Sequence, residues 1–124
     1  MVDIVTALTA ASSGMEAQSM RLRHVSENIA NADTPGYQRK VPVFRDTGEA
    51  VALGPVTLDR RPVERVFDPG HPLADETGYH EGSNVDLVIE LADAREAQQG
   101  YEANLRVFDQ ARQMSQSLLD MIRR

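Results

Sequence analysis

The chain has no cysteine and no tryptophan, and aromatic residues fill only 5% of its 124 positions. The missing thiols exclude disulfides, thiolate catalysis and cysteine-based zinc sites together. So few aromatic rings suit a helix seam better than a thick core. Blocks of one charge are missing too: thirteen basic and nineteen acidic residues are interspersed, for a net charge of −6. A nucleic-acid surface needs a positive field, and a polybasic membrane patch needs clustered Lys and Arg, so neither partner is expected. No apolar run approaches the about 20 residues of a membrane span, so direct membrane insertion is not expected. The start of the chain lacks a basic segment followed by an apolar core, the mark of an ordinary secretory leader. The expectation is a cytoplasmic chain, or one that leaves by a route blind to such leaders. No Gly-rich phosphate loop is present, and His71 and His80 have no Ser or Cys nucleophile near them in sequence. An enzyme is therefore not expected, nor a cofactor.

What is present begins with a helical pattern from Asp3 to about Asn31. Asp3 is a good N-cap, and its charge suits the positive end of the helix dipole. Met1, Leu8, Met15, Leu22 and Ile29 recur every seven residues, with Ile4, Ala11, Gln18 and Val25 at the companion positions. Such a repeat favours a supercoil with a partner helix. Ala11 and Gln18 promise little burial, and Ser12-Ser13-Gly14 is a poor helix-forming patch. The helix should therefore be marginal alone. His24 falls on its outward side and is expected to be solvated.

The helix ends in Asn28-Ile29-Ala30-Asn31-Ala32-Asp33-Thr34-Pro35-Gly36-Tyr37. Asn28, Asn31 and Asp33 can bond backbone groups left bare at a helix end. Pro35 pushes Thr34 out of the helical region. Gly36 can take the positive φ that a type II turn requires at its third position.

Residues 37–82 lose the helical period. Short strand-like runs appear at Tyr37–Phe44, Ala50–Leu53, Val56–Leu58 and Pro62–Phe67, with Gly54-Pro55 placed to join the second and third as a hairpin. Asp68-Pro69-Gly70-His71-Pro72 and Asp75-Glu76-Thr77-Gly78-Tyr79 read as turns. With His80 they gather acids and imidazoles, but the spacing fits neither a calcium loop nor a zinc helix. No metal site is expected.

A second helix should run from about Val85 to Arg123, opened by a capping box at Ser83-Asn84-Val85-Asp86. Glu90 and Asp93 near its start and Arg123 and Arg124 at its end complement the dipole. Its stripe includes Leu87, Leu91, Ala94, Tyr101, Leu105, Phe108, Leu119 and Ile122. Both ends are apolar on several faces, which calls for several neighbours. At 1.5 Å per residue the helices span roughly 40 and 60 Å, too long for a compact domain of this size. An antiparallel pair would leave the longer one overhanging. The fold expected is mainly α: two long terminal helices in a coiled-coil layer, joined by short β-strands and loops. Its parts are 1–36 (helix and turn), 37–82 (middle) and 83–124 (helix). Open assembly of many copies and a simple dimeric bundle fit these observations equally.

The run from Asn28 to Tyr37 resembles the Asn-x-Ala-Asn-x-x-Thr-Pro-Gly-Tyr signature of the bacterial flagellar rod and hook axial proteins. The Asp68–Pro72 run, Ala74–Glu76, Gly78-Tyr79 and Asn84-Val85-Asp86 sharpen the resemblance to a proximal-rod subunit; residues 46–61 carry no part of it. The resemblance implies a structural subunit of the flagellar basal body that assembles helically and transmits torque from the rotor ring to the distal rod and hook. It implies passage through the flagellar type III export apparatus without a cleaved signal, and a place in the periplasmic rod. Partners would be copies of itself, other proximal and distal rod subunits and the rotor-ring adaptor. The expected assembly seam comprises Leu8, Met15, Leu22, Val25, Ile29, Leu91, Tyr101, Leu105, Phe108, Leu119 and Ile122. The signature turn comprises Asn28, Asn31, Asp33, Thr34, Pro35, Gly36 and Tyr37. The other reading is a soluble helical adaptor or dimerisation module.

Overall fold

The computed structural model describes residues 3–123; Met1 and Arg124, which the heptad and dipole readings used, lie outside the described residues. Helix α1 spans Ile4–Ala30 and helix α2 spans Leu87–Ile122. Between them lie six short strands: β1 (Lys40–Val41), β2 (Phe44–Asp46), β3 (Val51–Leu53), β4 (Thr57–Leu58), β5 (Arg65–Phe67) and β6 (Tyr79–Glu81). Asp3 caps α1 by accepting the Thr6 amide, and the helix runs unbroken through Ser12-Ser13-Gly14. No described helix is long and apolar enough to cross a membrane.

The helices pack antiparallel. Gly14 faces Asn104, Gln18 faces Gly100, Arg21 reaches Asp93 and Glu96, and Asn28 reaches Glu90. In most of these pairs the two residue numbers sum to 118, so Ile4 lies level with Met114. The last eight residues of α2, 115–122, therefore run past Ile4 by about 12 Å. The expected overhang is present.

The seam itself is one step around each helix from the large apolar residues. On α1 the buried positions are Ala11, Gly14, Ala17, His24, Val25 and Asn28; on α2 they are Glu90, Ala97 and Ala111. A Cβ placed on Gly14 would sit 2.7 Å from the Asn104 amide, so glycine permits the close approach there. Ala11 and Gln18, which promise little burial on size alone, belong to this seam because small or flat side chains bring the backbones together. Ser13 is useful in place: its hydroxyl donates to the Ala10 carbonyl and accepts the Val51 amide, tying β3 to α1.

The middle segment departs from expectation in pairing. No hairpin forms at Gly54-Pro55. Instead β2 pairs with β3 and β1 with β4, both antiparallel, as two ladders of one ribbon that turns at 47–50. Pro42 and Pro55 both lack an amide donor, and the register slips by one residue between the ladders (Lys40 opposite Leu58, Phe44 opposite Leu53). The Gly54 amide bridges the gap to the Val43 carbonyl. A second ribbon pairs β5 with β6, so Tyr79 and His80, read from sequence as turn residues, are strand residues. Ser83 does not cap α2. Its hydroxyl donates to the Ala32 carbonyl, and Asp86 caps the helix by accepting the Val88 amide.

Candidate assembly site

Two kinds of surface decide what this molecule can do: a polar clamp that joins the parts, and flanks whose large apolar residues are left half-buried or exposed.

The clamp is built on the signature run. Thr34-Pro35-Gly36-Tyr37 makes the expected type II turn: Tyr37 N–H donates to the Thr34 carbonyl at 3.2 Å, and Gly36 has φ +73°. Asn31 holds the helix end, donating its amide to the Glu27 carbonyl and accepting the Thr34 hydroxyl. Asp33 and Pro35 are exposed. The turn returns the chain to Asn28, whose side chain is fully buried with all four bonding positions filled. Its oxygen accepts the Tyr37 hydroxyl and the Lys40 amide, both at 2.8 Å. Its NH₂ donates to the Lys40 carbonyl and to the Glu90 carboxylate.

Glu90 is the other fully buried member. Arg39 donates to it at 2.6 Å through Nε and to Asp93 at 3.0 Å through Nη2. Burial pulls the Arg39 guanidinium down, but the hydrogen bond to Glu90 and the fields of Glu90, Asp93 and Asp59 outweigh it and hold it above its usual value. Asn84, just before α2, accepts the Arg39 amide and donates to the carbonyls of Asp59 and Arg61. The Arg61 side chain and backbone bond Asp59 and lower it to about 2. Lys40 and Glu27 pair at 2.6 Å, which lowers Glu27 and raises Lys40. His24, expected in solvent, is buried on the same flank, its Nδ1 3.9 Å from Glu27. The arm that begins at Tyr37 covers the position left outward in a lone helix.

The sequence reading missed this clamp. In the sequence alone Glu90 reads as a partner of the helix dipole. The available signal was spacing: Glu90, Ala97, Asn104 and Ala111 recur every seven residues, so an acid occupies a seam position and demands a buried cation. Elsewhere His71 and His80 stack at 3.8 Å with nearly parallel rings. Among the described residues no three His, Asp or Glu converge as metal ligands.

The flanks carry the large apolar residues. Leu8, Met15 and Leu22 are half-buried and Ile29 is exposed. Of the seam residues expected on α2, only Phe108 is half-buried; Leu91, Tyr101, Leu105, Leu119 and Ile122 are exposed, Ile122 by 80%. Val25 is enclosed within the chain. At 100° per residue Leu8, Met15, Leu22 and Ile29 fall on the flank of α1 opposite Ser13 and His24, the side the middle segment covers. Among the described residues the buried apolar side chains are Ala11, Ala17, Val25, Ala97 and Ala111, none larger than valine. The accessible surface of 8888 Å² is about a third above the roughly 6,600 Å² expected for a globular monomer of this mass. This surface has the makings of a packing element, with its apolar residues left for neighbours.

Comparison with known proteins agrees. Residues 8–38 match the family described as "Flagella basal body rod protein", and residues 76–121 match "Flagellar basal body rod FlgEFG protein C-terminal". The chain is 44% identical to the flagellar basal-body rod protein FlgC of Agrobacterium fabrum, across 91% of each chain. It is 36% identical to FlgC of Aquifex aeolicus over 87% of this chain and 89% of that one. For FlgC of Salmonella typhimurium the identity is 35%, with 84% and 87% covered.

Proposed function

The chain belongs to the FlgC family of flagellar basal-body rod proteins, and from that premise we propose how its surfaces serve the rod. It is a structural subunit of the flagellar basal-body rod, not an enzyme, and it assembles with other rod components. The finer reading is a proximal-rod subunit that transmits torque from the rotor ring to the distal rod and hook. Its neighbours would be copies of itself, other rod subunits and the rotor-ring adaptor. It would reach the periplasm through the flagellar type III export apparatus without a cleaved signal. The three-part division, 1–36, 37–82 and 83–124, then has a purpose. The two helices face the coiled-coil layer, and the middle segment leaves it at the Thr34–Tyr37 turn.

One observation carries this reading. Among the described residues no apolar side chain larger than valine is buried, while large ones stand exposed along both helices. A structure so arranged gains further hydrophobic stabilisation, about 25 cal/mol per Å² covered, on contact with neighbours. We assign Leu8, Met15, Leu22, Ile29, Leu91, Tyr101, Leu105, Phe108, Leu119 and Ile122 to that contact, with Val25 closing the seam within the chain. The test is Leu22→Asp and, separately, Leu119→Asp in a strain lacking the native protein. Both should abolish motility and completed rods while the purified monomer keeps its helical circular dichroism. Normal motility in both strains would refute the assignment.

A further inference from the structure

The second ribbon carries two imidazoles that the rod reading leaves without a role. His71, in the turn after β5, stacks on His80 of β6, with ring centroids 3.8 Å apart and planes 7° from parallel. His80 stands opposite Val66 in the ladder. Both histidines line a cavity that the ribbon shares with the signature turn, together with Asp33, Glu64 and Asp68. Among the described residues no Lys or Arg lines it. The nearby charges of the ribbon are committed elsewhere. Arg65 lies over Tyr79 and bonds Asp75, Asp75 also accepts the Thr77 and Tyr79 amides, and Glu81 lies beside Gly36.

Two features tie this pair to protons. His71 Nδ1 accepts the Leu73 amide at 3.1 Å, so that nitrogen carries no proton while the turn is closed. His80 Nδ1 is enclosed and has no hydrogen-bond partner among the described residues. A proton on His71 Nδ1 sets donor against donor, which breaks the Leu73 bond and favours turning the ring toward the acids of the cavity wall. A proton on each ring places two like charges face to face, which drives the stack apart. We propose that His71 and His80 form a proton-sensitive latch: the neutral rings hold the 68–74 turn against β6, and their protonation releases it. Release is confined to the turn. The ribbon keeps its own ladder, and it stays joined to the signature turn through the Gly36 amide on the Gly82 carbonyl and the Ser83 hydroxyl on the Ala32 carbonyl. The latch opens as the imidazoles charge, within the window of about pH 5 to 8 where histidine ordinarily does so. The inference goes beyond the rod reading and applies to the free subunit as well.

The test is a nuclear magnetic resonance titration of the full purified chain from about pH 8 to about pH 5, with imidazole protonation followed on the C2–H signals of the rings. The expected result is a shift of the Leu73 amide resonance in step with protonation, and loss of the proximity signal between the two rings. The Gly36 and Gly82 amides, which join the ribbon to its surroundings, should stay where they are. Two variants separate the features. His71→Asn keeps a side-chain acceptor two residues before Leu73 without a titrating group, so its Leu73 resonance should not move with pH. His80→Phe keeps a ring for the stack and removes one charge, so ring contact should survive acidification while the Leu73 shift remains. An unmoved Leu73 resonance and an intact ring contact once both imidazoles are charged would overturn the inference. So would a Leu73 shift that persists in His71→Asn. Assembly is not read in this experiment, so either result leaves the rod reading standing.

Discussion

The clamp end and the overhanging end of this molecule are held by opposite chemistry. Near the clamp, Asn28, Arg39 and Glu90 are buried and bonded, and the large apolar neighbours Ile29 and Leu91 stay on the outside. At the overhang, Leu118, Leu119, Met121 and Ile122 are large, apolar and open. Polar groups in a protein interior must be matched one to one, so they fix a single arrangement within the chain. Apolar surface is indifferent to which apolar partner covers it, so it suits contact with neighbours that differ from site to site. The chain therefore specifies its own shape with hydrogen bonds and leaves its hydrophobic area for assembly.

This contrast breaks hardest at Glu90. Glu90→Leu leaves Arg39 buried with its main partner gone, and loss of one member of a buried pair costs about 3–5 kcal/mol. Urea unfolding of the dilute monomer should show that loss, and Glu90→Leu with Arg39→Met should recover part of it. Gly14→Leu comes next, because it drives a side chain into Asn104; overpacking of this kind costs about 1–3 kcal/mol. Asn104→Ala in the same chain should relieve it, a coupling that a double-mutant cycle measures. Gly36→Ala should cost about 1–2 kcal/mol, since φ there is +73° and the nearest atom to an added Cβ is 3.8 Å away. The penalty is conformational, and thermal unfolding should register it without a change in circular dichroism. The smallest effect is with pH. Asp59 sits at about 2, below its unfolded value of 3.8, so it stabilises the fold above that unfolded value. That contribution is lost as pH falls through 3.8 toward 2, and Asp59→Asn should flatten this part of the stability–pH curve.

Much of the fold was legible because it is written in local rules. Asp3 as a cap, the seven-residue repeat and the Pro-Gly turn each act within a few residues of themselves. Two strong periods separated by an aperiodic stretch define the two helices and the join. The strand pairing was less legible, since the true turn at 47–50 carries one glycine and no proline while Gly54-Pro55 offers a stronger local signal. Long-range pairing of 40–46 with 51–58 overrode it. Of the site, the apolar flanks were visible in the heptads. The clamp was not, because Arg39 and Glu90 are 51 residues apart and each alone resembles an ordinary surface charge. Only Glu90's place in the Ala97–Asn104–Ala111 series betrayed it. The seam's small residues were undervalued for a related reason: burial area is a poor guide where close approach is the purpose.

Amide hydrogen exchange, measured on the dilute monomer and on the same chain in isolated basal bodies, tests the central claim most directly. The account predicts that residues 90–111, held by the clamp and seam, are protected in both, whereas residues 115–122 exchange freely in the monomer and become protected in the rod. Equal, strong protection of 115–122 in the dilute monomer would show that the chain covers its own apolar surface, and would contradict it.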